Sequence, residues 1–433
     1  MSQAPSRDIV IASPAGQILA RRDCDIIRAT GIPYADAGRW ELPKPSKPAP
    51  VRASALSPAC PQLPIPRLDA VLPDAFAGIA FAERCQCLSV SAPADARDLP
   101  VMVWLHGGSY ESGAADMGVL DPSALVREQQ VVFVAISYRL GLFGWLGFDG
   151  HPANLGALDV IEALRWIAEN IAAFGGDPGR VTLFGQSSGG DLTARLMMAG
   201  AARGMFHRAI IQSAPLDLPL KTARMRRVMR RVASGALSDE KVSEILSRQA
   251  RLRKAVRRFG LAGQMPFGPE FGHAPFPIEP QLATAHAEIA PHIPILIGHM
   301  RDEAALFLPP FAQGAASVLD APRRLAVRAL TARLYGRPAR RFASRHHAAG
   351  GYAARFVIDC GGGDWGSAHL ADLPLLFPSD DWLGTPLVPR EMSAEDLRRI
   401  GRPIRRIWAD FARDGTVAAP PAEATGLIRL HLP

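Results

Sequence analysis

The chain has 433 residues, 48% of them hydrophobic and 21% charged, a balance that allows a large buried core and excludes a disordered or fibrous protein. Its 49 basic and 41 acidic side chains leave a net charge of +8, but Lys221 to Arg258 holds 13 basic and 3 acidic residues, so that segment carries +10 and the remainder −2. No aromatic residues interleave with those cations, so a nucleic-acid partner is not expected. The first 22 residues offer no apolar stretch of leader length, and no 18-residue apolar run occurs, so stable membrane insertion is not expected and a cytoplasmic location is. Five cysteines (Cys24, Cys60, Cys85, Cys87 and Cys360) are too few and too irregularly spaced for a disulfide scaffold or a zinc site, so no metal or cofactor is expected.

In chain order, the short apolar pieces Ile9 to Ile11, Ile79 to Phe81 and Cys87 to Val90 suggest short strands. They are interrupted by the proline-rich connection Leu42 to Arg52. Leu99 to Leu105 (LPVMVWL) and Val131 to Ser137 (VVFVAIS) are continuous apolar runs, the pattern of strands buried on both faces. From Gly156 to Ile171, Leu158, Ile161, Leu164, Ile167 and Ile171 recur every three or four residues, one face of a helix. Val181 to Phe184 predicts another buried strand and Asp191 to Met198 another helix. Strand alternating with helix implies an α/β architecture, a mostly parallel sheet flanked by helices.

Between the last of these strands and its helix lies Gly185-Gln-Ser187-Ser-Gly189, a G-x-S-x-G turn. A turn this tight strains the serine backbone and leaves room only for glycine on either side, while it lifts the hydroxyl to the sheet edge at a helix N-terminus. Upstream, the strand Leu99 to Leu105 runs into His106-Gly107-Gly108-Ser109. The amides of Gly108, Ser109 and Ser188 are therefore expected to form an oxyanion hole, in which each preorganised donor contributes about 3 kcal/mol to a tetrahedral intermediate. A serine hydroxyl becomes a nucleophile only beside an imidazole, and the imidazole needs a carboxylate to fix its tautomer. Eleven histidines are available, and spacing alone selects none.

The block GALDVIEALRWIAENIAAFGGDPGRVTLFGQSSGG, Gly156 to Gly190, closely resembles the type-B carboxylesterase/lipase family, which includes cholinesterases and p-nitrobenzyl esterases. VMVWLHGGSYESG from Val101, SYRLGLFGWLG from Ser137 and FHRAIIQSA from Phe206 resemble further segments of that family, as do GIPYAD and IWADFARDG near the two ends. The resemblance implies the α/β-hydrolase fold with a short helical cap, Ser187 as nucleophile, Glu303 in IPILIGHMRDEAALF as the acid, and His369 in SAHLADLPLLF as the base. Asp302 is the alternative acid. It also implies pairing of Cys60 with Cys85 where the surroundings are oxidising.

Three features depart from the family pattern. Gln186 stands where a glutamate usually precedes the nucleophile, removing a charge that would support protonated His369. Ser109 replaces Gly or Ala and is expected to narrow the pocket. Glu303 and His369 are only 66 residues apart, which implies a trimmed cap and a more open site. The expectation is a single domain over residues 1–433, with a basic cap at 217–265 built from two helices, one buried along Met225, Val228, Met229 and Val232, the other along Val242, Ile245 and Leu246. The expected activity is hydrolysis of small to medium carboxylic esters through an acyl-enzyme, with a small-molecule ester as partner and oligomeric state left open. Amide, carbamate or thioester cleavage by the same residues is the alternative. A non-catalytic binding relative would be expected to have lost the serine or its partners, and this chain keeps all three.

Overall fold

The computed structural model describes residues 7–72, 74–235, 239–308, 320–361 and 364–433. Among the described residues the path of the main sheet is made of eleven strands, in chain order β1 (Arg7–Ser13), β2 (Gly16–Asp23), β3 (Ile26–Pro33), β4 (Cys87–Pro93), β5 (Leu99–Leu105), β6 (Val132–Ile136), β7 (Gly176–Gln186), β8 (Arg208–Gln212), β9 (Ile295–Met300), β10 (Ala353–Ile358) and β11 (Ile428–His431). In space they run β1-β2-β3-β4-β6-β5-β7-β8-β9-β10-β11, with the short strand Val51–Arg52 paired to β2 off this path. The six neighbours β6, β5, β7, β8, β9 and β10 are parallel. The strands leading to them from β1 are antiparallel, and β11 closes the far edge antiparallel.

Five helices matter for the site: α1 (Leu155–Asn170), α2 (Ser188–Leu196), α3 (Ala223–Ala233), α4 (Val242–Val256) and α5 (Ala394–Asp414). Alternate side chains of a strand face opposite ways, and β5 shows why both faces had to be apolar. Val101, Val103 and Leu105 pack with Leu164 and Ile167 of α1, whereas Met102 and Trp104 pack with Ile404 and Trp408 of α5. One run of seven residues thus closes two cores.

Where the elements differ from the sequence expectation, a local reason is visible. Helix α2 begins at Ser188, three residues early, because the Asp191 amide donates to the Ser187 carbonyl 2.9 Å away and the helix grows directly from the turn. Ile79 to Phe81 contributes only an isolated bridge from Phe81 to Ala59 and no strand. Phe81 instead meets the Phe76 ring, with centroids 5.7 Å apart. On α3, Met225 and Met229 are buried as expected, but Ala233 completes the stripe while Val228 and Val232 are half-buried. Among the described residues no helix is long and apolar enough to cross a membrane.

Candidate active site

Parallel strands deliver their C-terminal ends to one edge of the sheet, where ligands of such folds gather. Strand β7 delivers Ser187, whose φ of 59° and ψ of −124° put an L-residue in strained backbone. The flanking glycines permit it. A Cβ on Gly185 would lie 2.6 Å from the Leu105 carbonyl oxygen, and one on Gly189 only 2.0 Å from the same atom. The Ser187 amide donates to the Gln212 carbonyl at 2.9 Å, which ties the turn to β8.

His369 lies on the loop after β10, and its Nε2 is 2.9 Å from Ser187 Oγ. Its Nδ1 hydrogen-bonds Oε2 of Glu303, which begins the turn after β9. The other carboxylate oxygen, Oε1, accepts from the Met300 amide at 2.8 Å. Burial acts to raise the pKa of Glu303, but the charge and hydrogen bond of His369 outweigh it and hold the carboxyl below its ordinary value. An ionised Glu303 accepts the Nδ1 proton, so the Nε2 lone pair faces the serine hydroxyl. The rings of Phe307 and Tyr335, each 5.4 Å from the imidazole centroid, wall it in. Asp302 pairs instead with Arg301 at 2.8 Å.

After β5 the chain turns through three successive left-handed residues, Gly108 (φ 108°), Ser109 (59°) and Tyr110 (62°). Gly108 and Ser109 border the same pocket as Ser187 and His369. Among the described residues the amides of Gly108, Ser109 and Ser188 donate to no backbone or side-chain acceptor. Unspent backbone donors beside a pocket suit an anionic oxygen. The turn is anchored from behind, since Tyr110 Oη donates to Asp191 of α2 at 2.7 Å.

The rest of the pocket is mostly apolar, with Asp69, His106, Ser112 and Gln186 as its polar members. Leu68, Leu72 and Phe76, spaced by four along the segment that opens with the helical turn Pro66–Asp69, face Met117, Leu120 and Phe307. Among the described residues none of 217–265 lines it. Helices α3 and α4 turn Arg224, Arg227, Arg231, Arg251 and Lys254 to solvent, as the turn after α4 does Arg257 and Arg258, while Arg226 and Arg230 pair with Glu270. Among the described residues no cluster of three or more His, Cys, Asp or Glu side chains is placed to hold a metal ion. Among the described residues no disulfide is formed, and the neighbouring Cys60 thiol, together with burial, raises the pKa of Cys85.

Two contacts near the imidazole go beyond the sequence reading, one at Gln186, which it named, and one at Asp372, which it missed. Gln186 Nε2 lies 3.3 Å from His369 Nε2, and Gln186 Oε1 has no partner among the described residues. Turning that amide over would present an acceptor to a protonated imidazole, so Gln186 keeps a contact that the loss of the family's glutamate had left in question. The other is Asp372, fully buried three residues after His369. Its Oδ2 accepts from Gln212 Nε2 at 2.7 Å, and Gln212 Oε1 accepts from Trp408 at 3.0 Å. A lone acid in the apolar run LADLPLLF was its signal in the sequence.

Burial, and then the charge of Glu303, push Asp372 up to about 6. A carboxyl whose folded pKa exceeds its unfolded one stabilises when protonated, and that contribution is lost as pH rises from the unfolded value through about 6. Asp372→Asn is therefore expected to raise stability at pH values above this window by roughly 2–3 kcal/mol, and much less below it. Thermal unfolding across the window checks this, and a gain independent of pH would contradict it.

The Carboxylesterase family model matches residues 16–336. A probable N-octanoylanthranilate hydrolase of Rhodococcus erythropolis is 34% identical over 95% of this chain and 94% of its own length. The para-nitrobenzyl esterase of Bacillus subtilis is 29% identical over 98% of this chain and 92% of its own. Among solved structures, a thermophilic p-nitrobenzyl esterase superposes with a TM-score of 0.78 at 27% identity, covering 98% of this chain and 97% of that one.

Proposed function

The chain belongs to the carboxylesterase family, has the α/β-hydrolase fold and is a carboxylic ester hydrolase, and from that premise we propose that Ser187, His369 and Glu303 carry its reaction. His369 Nε2 takes the hydroxyl proton of Ser187 as Oγ attacks the ester carbonyl. Negative charge collects on the former carbonyl oxygen, against the amides of Gly108, Ser109 and Ser188. The imidazolium, held by the Glu303 carboxylate, returns its proton to the departing alcohol, leaving an ester between Ser187 and the acyl group. Water then enters, gives a proton to His369 and attacks the acyl carbon; collapse releases the carboxylic acid and restores the serine.

One observation supports this reading above the others: an imidazole 2.9 Å from a strained, pocket-facing hydroxyl, with its other nitrogen on a buried carboxylate. The test is pre-steady-state release of p-nitrophenol from a p-nitrophenyl ester, where a burst stoichiometric with protein is expected and acylation should map to Ser187. Acyl transfer to any other residue would overturn the assignment.

Amide cleavage by the same residues is the second reading. It is favoured by the name of the Rhodococcus relative, which describes an N-acyl substrate. The ratio of kcat/KM for matched ester and amide pairs distinguishes the two, and a ratio near one would favour the amide. We further propose that the protein acts in the cytoplasm as one domain on a small-molecule ester, with no nucleic-acid partner. On this reading 217–265 is a basic cap whose outer face is solvated.

A further inference from the structure

The loop of candidate oxyanion donors carries a buried acid that the mechanism above does not use. Glu111 follows Ser109 by two residues and is only 2% exposed. Its amide and that of Ser112 both donate to the Gly108 carbonyl at 3.0 Å, so the backbone of Glu111 closes the turn that aims the Gly108 and Ser109 amides. Its side chain points away from the pocket and into the basic segment. Oε1 lies 3.3 Å from Gln249 Nε2 and 3.4 Å from Arg253 Nε, both on α4, and Oε2 has no partner among the described residues. Gln249 is itself fixed, with its Oε1 accepting from the Leu142 amide at 2.9 Å, and the Tyr110 carbonyl accepts from Gly141 at 2.7 Å.

An acid buried at this depth is retained only where a partner repays its desolvation. Arg253 is the charged group that faces it, and Gln249 is neutral. We propose that Glu111, clamped by Arg253 and Gln249, is a positioning residue that holds the Gly108 and Ser109 amides in register for the oxyanion. This gives the basic helix a part in the reaction that charge alone did not suggest, since α4 braces the loop from behind while contributing nothing to the pocket wall. The inference rests on the proposed oxyanion hole.

Burial raises Glu111 to about 7, with Arg253 and Gln249 drawing it back toward the ordinary range. Below that pH the carboxyl is neutral and the clamp is weakened; above it the clamp is complete. Loosening a loop of aimed donors by a fraction of an ångström costs on the order of 10- to 100-fold in rate. Glu111→Gln and Arg253→Met are each expected to lower kcat for a p-nitrophenyl ester by about that factor at alkaline pH, with KM little changed. The double variant should be no worse than either single. The ratio of wild-type to Glu111→Gln kcat should approach one well below pH 7 and rise to a plateau above it, since taking the ratio cancels any pH dependence that the two proteins share.

Wild-type kcat in both variants at every pH, or losses that multiply in the double variant, would overturn the role. Should Glu111→Gln fail to fold, Arg253→Met keeps the carboxyl in place and carries the same test. Acylation of Ser187 in the wild type, followed by mass spectrometry, separates the two levels. If Ser187 is acylated while both variants keep full kcat, only the clamp is lost; if Ser187 is never acylated, the hydrolytic assignment goes with it.

Discussion

Replacing Ser187 with alanine is expected to lower kcat on a p-nitrophenyl ester by about 10^5- to 10^6-fold while the protein stays folded and still binds substrate. The hydroxyl is the attacking atom in the proposed reaction, and water is a poor substitute because nothing at the elbow fixes it within reach of His369. The residual rate should exceed that in buffer, since amides aimed at the oxyanion still act on a water attack. Stability should change little. Alanine fits the same strained backbone, and among the described residues the side-chain hydrogen bond removed is the 2.9 Å contact with His369. Steady-state rates, the melting temperature and the absence of an acyl adduct check this together. Turnover within ten-fold of wild type would mean that the nucleophile lies elsewhere.

His369→Ala should cost roughly 10^4- to 10^6-fold in kcat, and Glu303→Gln about 10^4-fold, because an amide in place of the carboxylate can favour the wrong imidazole tautomer. The two variants should differ in stability. In the native protein His369 holds Glu303 below its ordinary pKa, so Glu303 adds stability above that range, and this is lost as pH falls through the folded value. Without His369 burial is the largest remaining effect and acts to raise the pKa, opposed by Ser213 and His299. His369→Ala is therefore expected to lose roughly 3 kcal/mol at neutral pH, with the loss shrinking as pH falls and Glu303 becomes protonated. Adding Glu303→Gln to His369→Ala should restore much of that loss. A melting temperature for His369→Ala equal to wild type at neutral pH would show that Glu303 finds another partner.

Elements whose signal lies in one stretch of sequence were legible. Leu99–Leu105 is a strand at the predicted residues, since seven apolar side chains in a row have no other way to be desolvated on both sides. Helix Leu155–Asn170 follows its apolar stripe to within a residue at each end. The G-x-S-x-G turn could be read because its glycines answer a local steric demand, the approach of the Leu105 carbonyl. Less of the site was legible where contact depends on distant segments. Neither Asp372 nor Glu111 was singled out from the sequence. Their burial is set by Gln212 and Trp408 for the first and by Gln249 and Arg253 for the second.

By itself, then, the sequence determined the alternation of strand and helix, the strained serine turn, the glycine-rich loop and a concentration of positive charge in one segment. These follow from periodicity, side-chain volume and charge over a few neighbouring residues. Spacing alone left the acid and the imidazole open until the family resemblance named Glu303 and His369, and only the tertiary structure decided where the pocket wall comes from, what the basic helix touches and how near these side chains lie. Such contacts join positions 66 to 183 residues apart, and a hydrogen bond or a desolvated charge depends on distance in space, which no local pattern encodes.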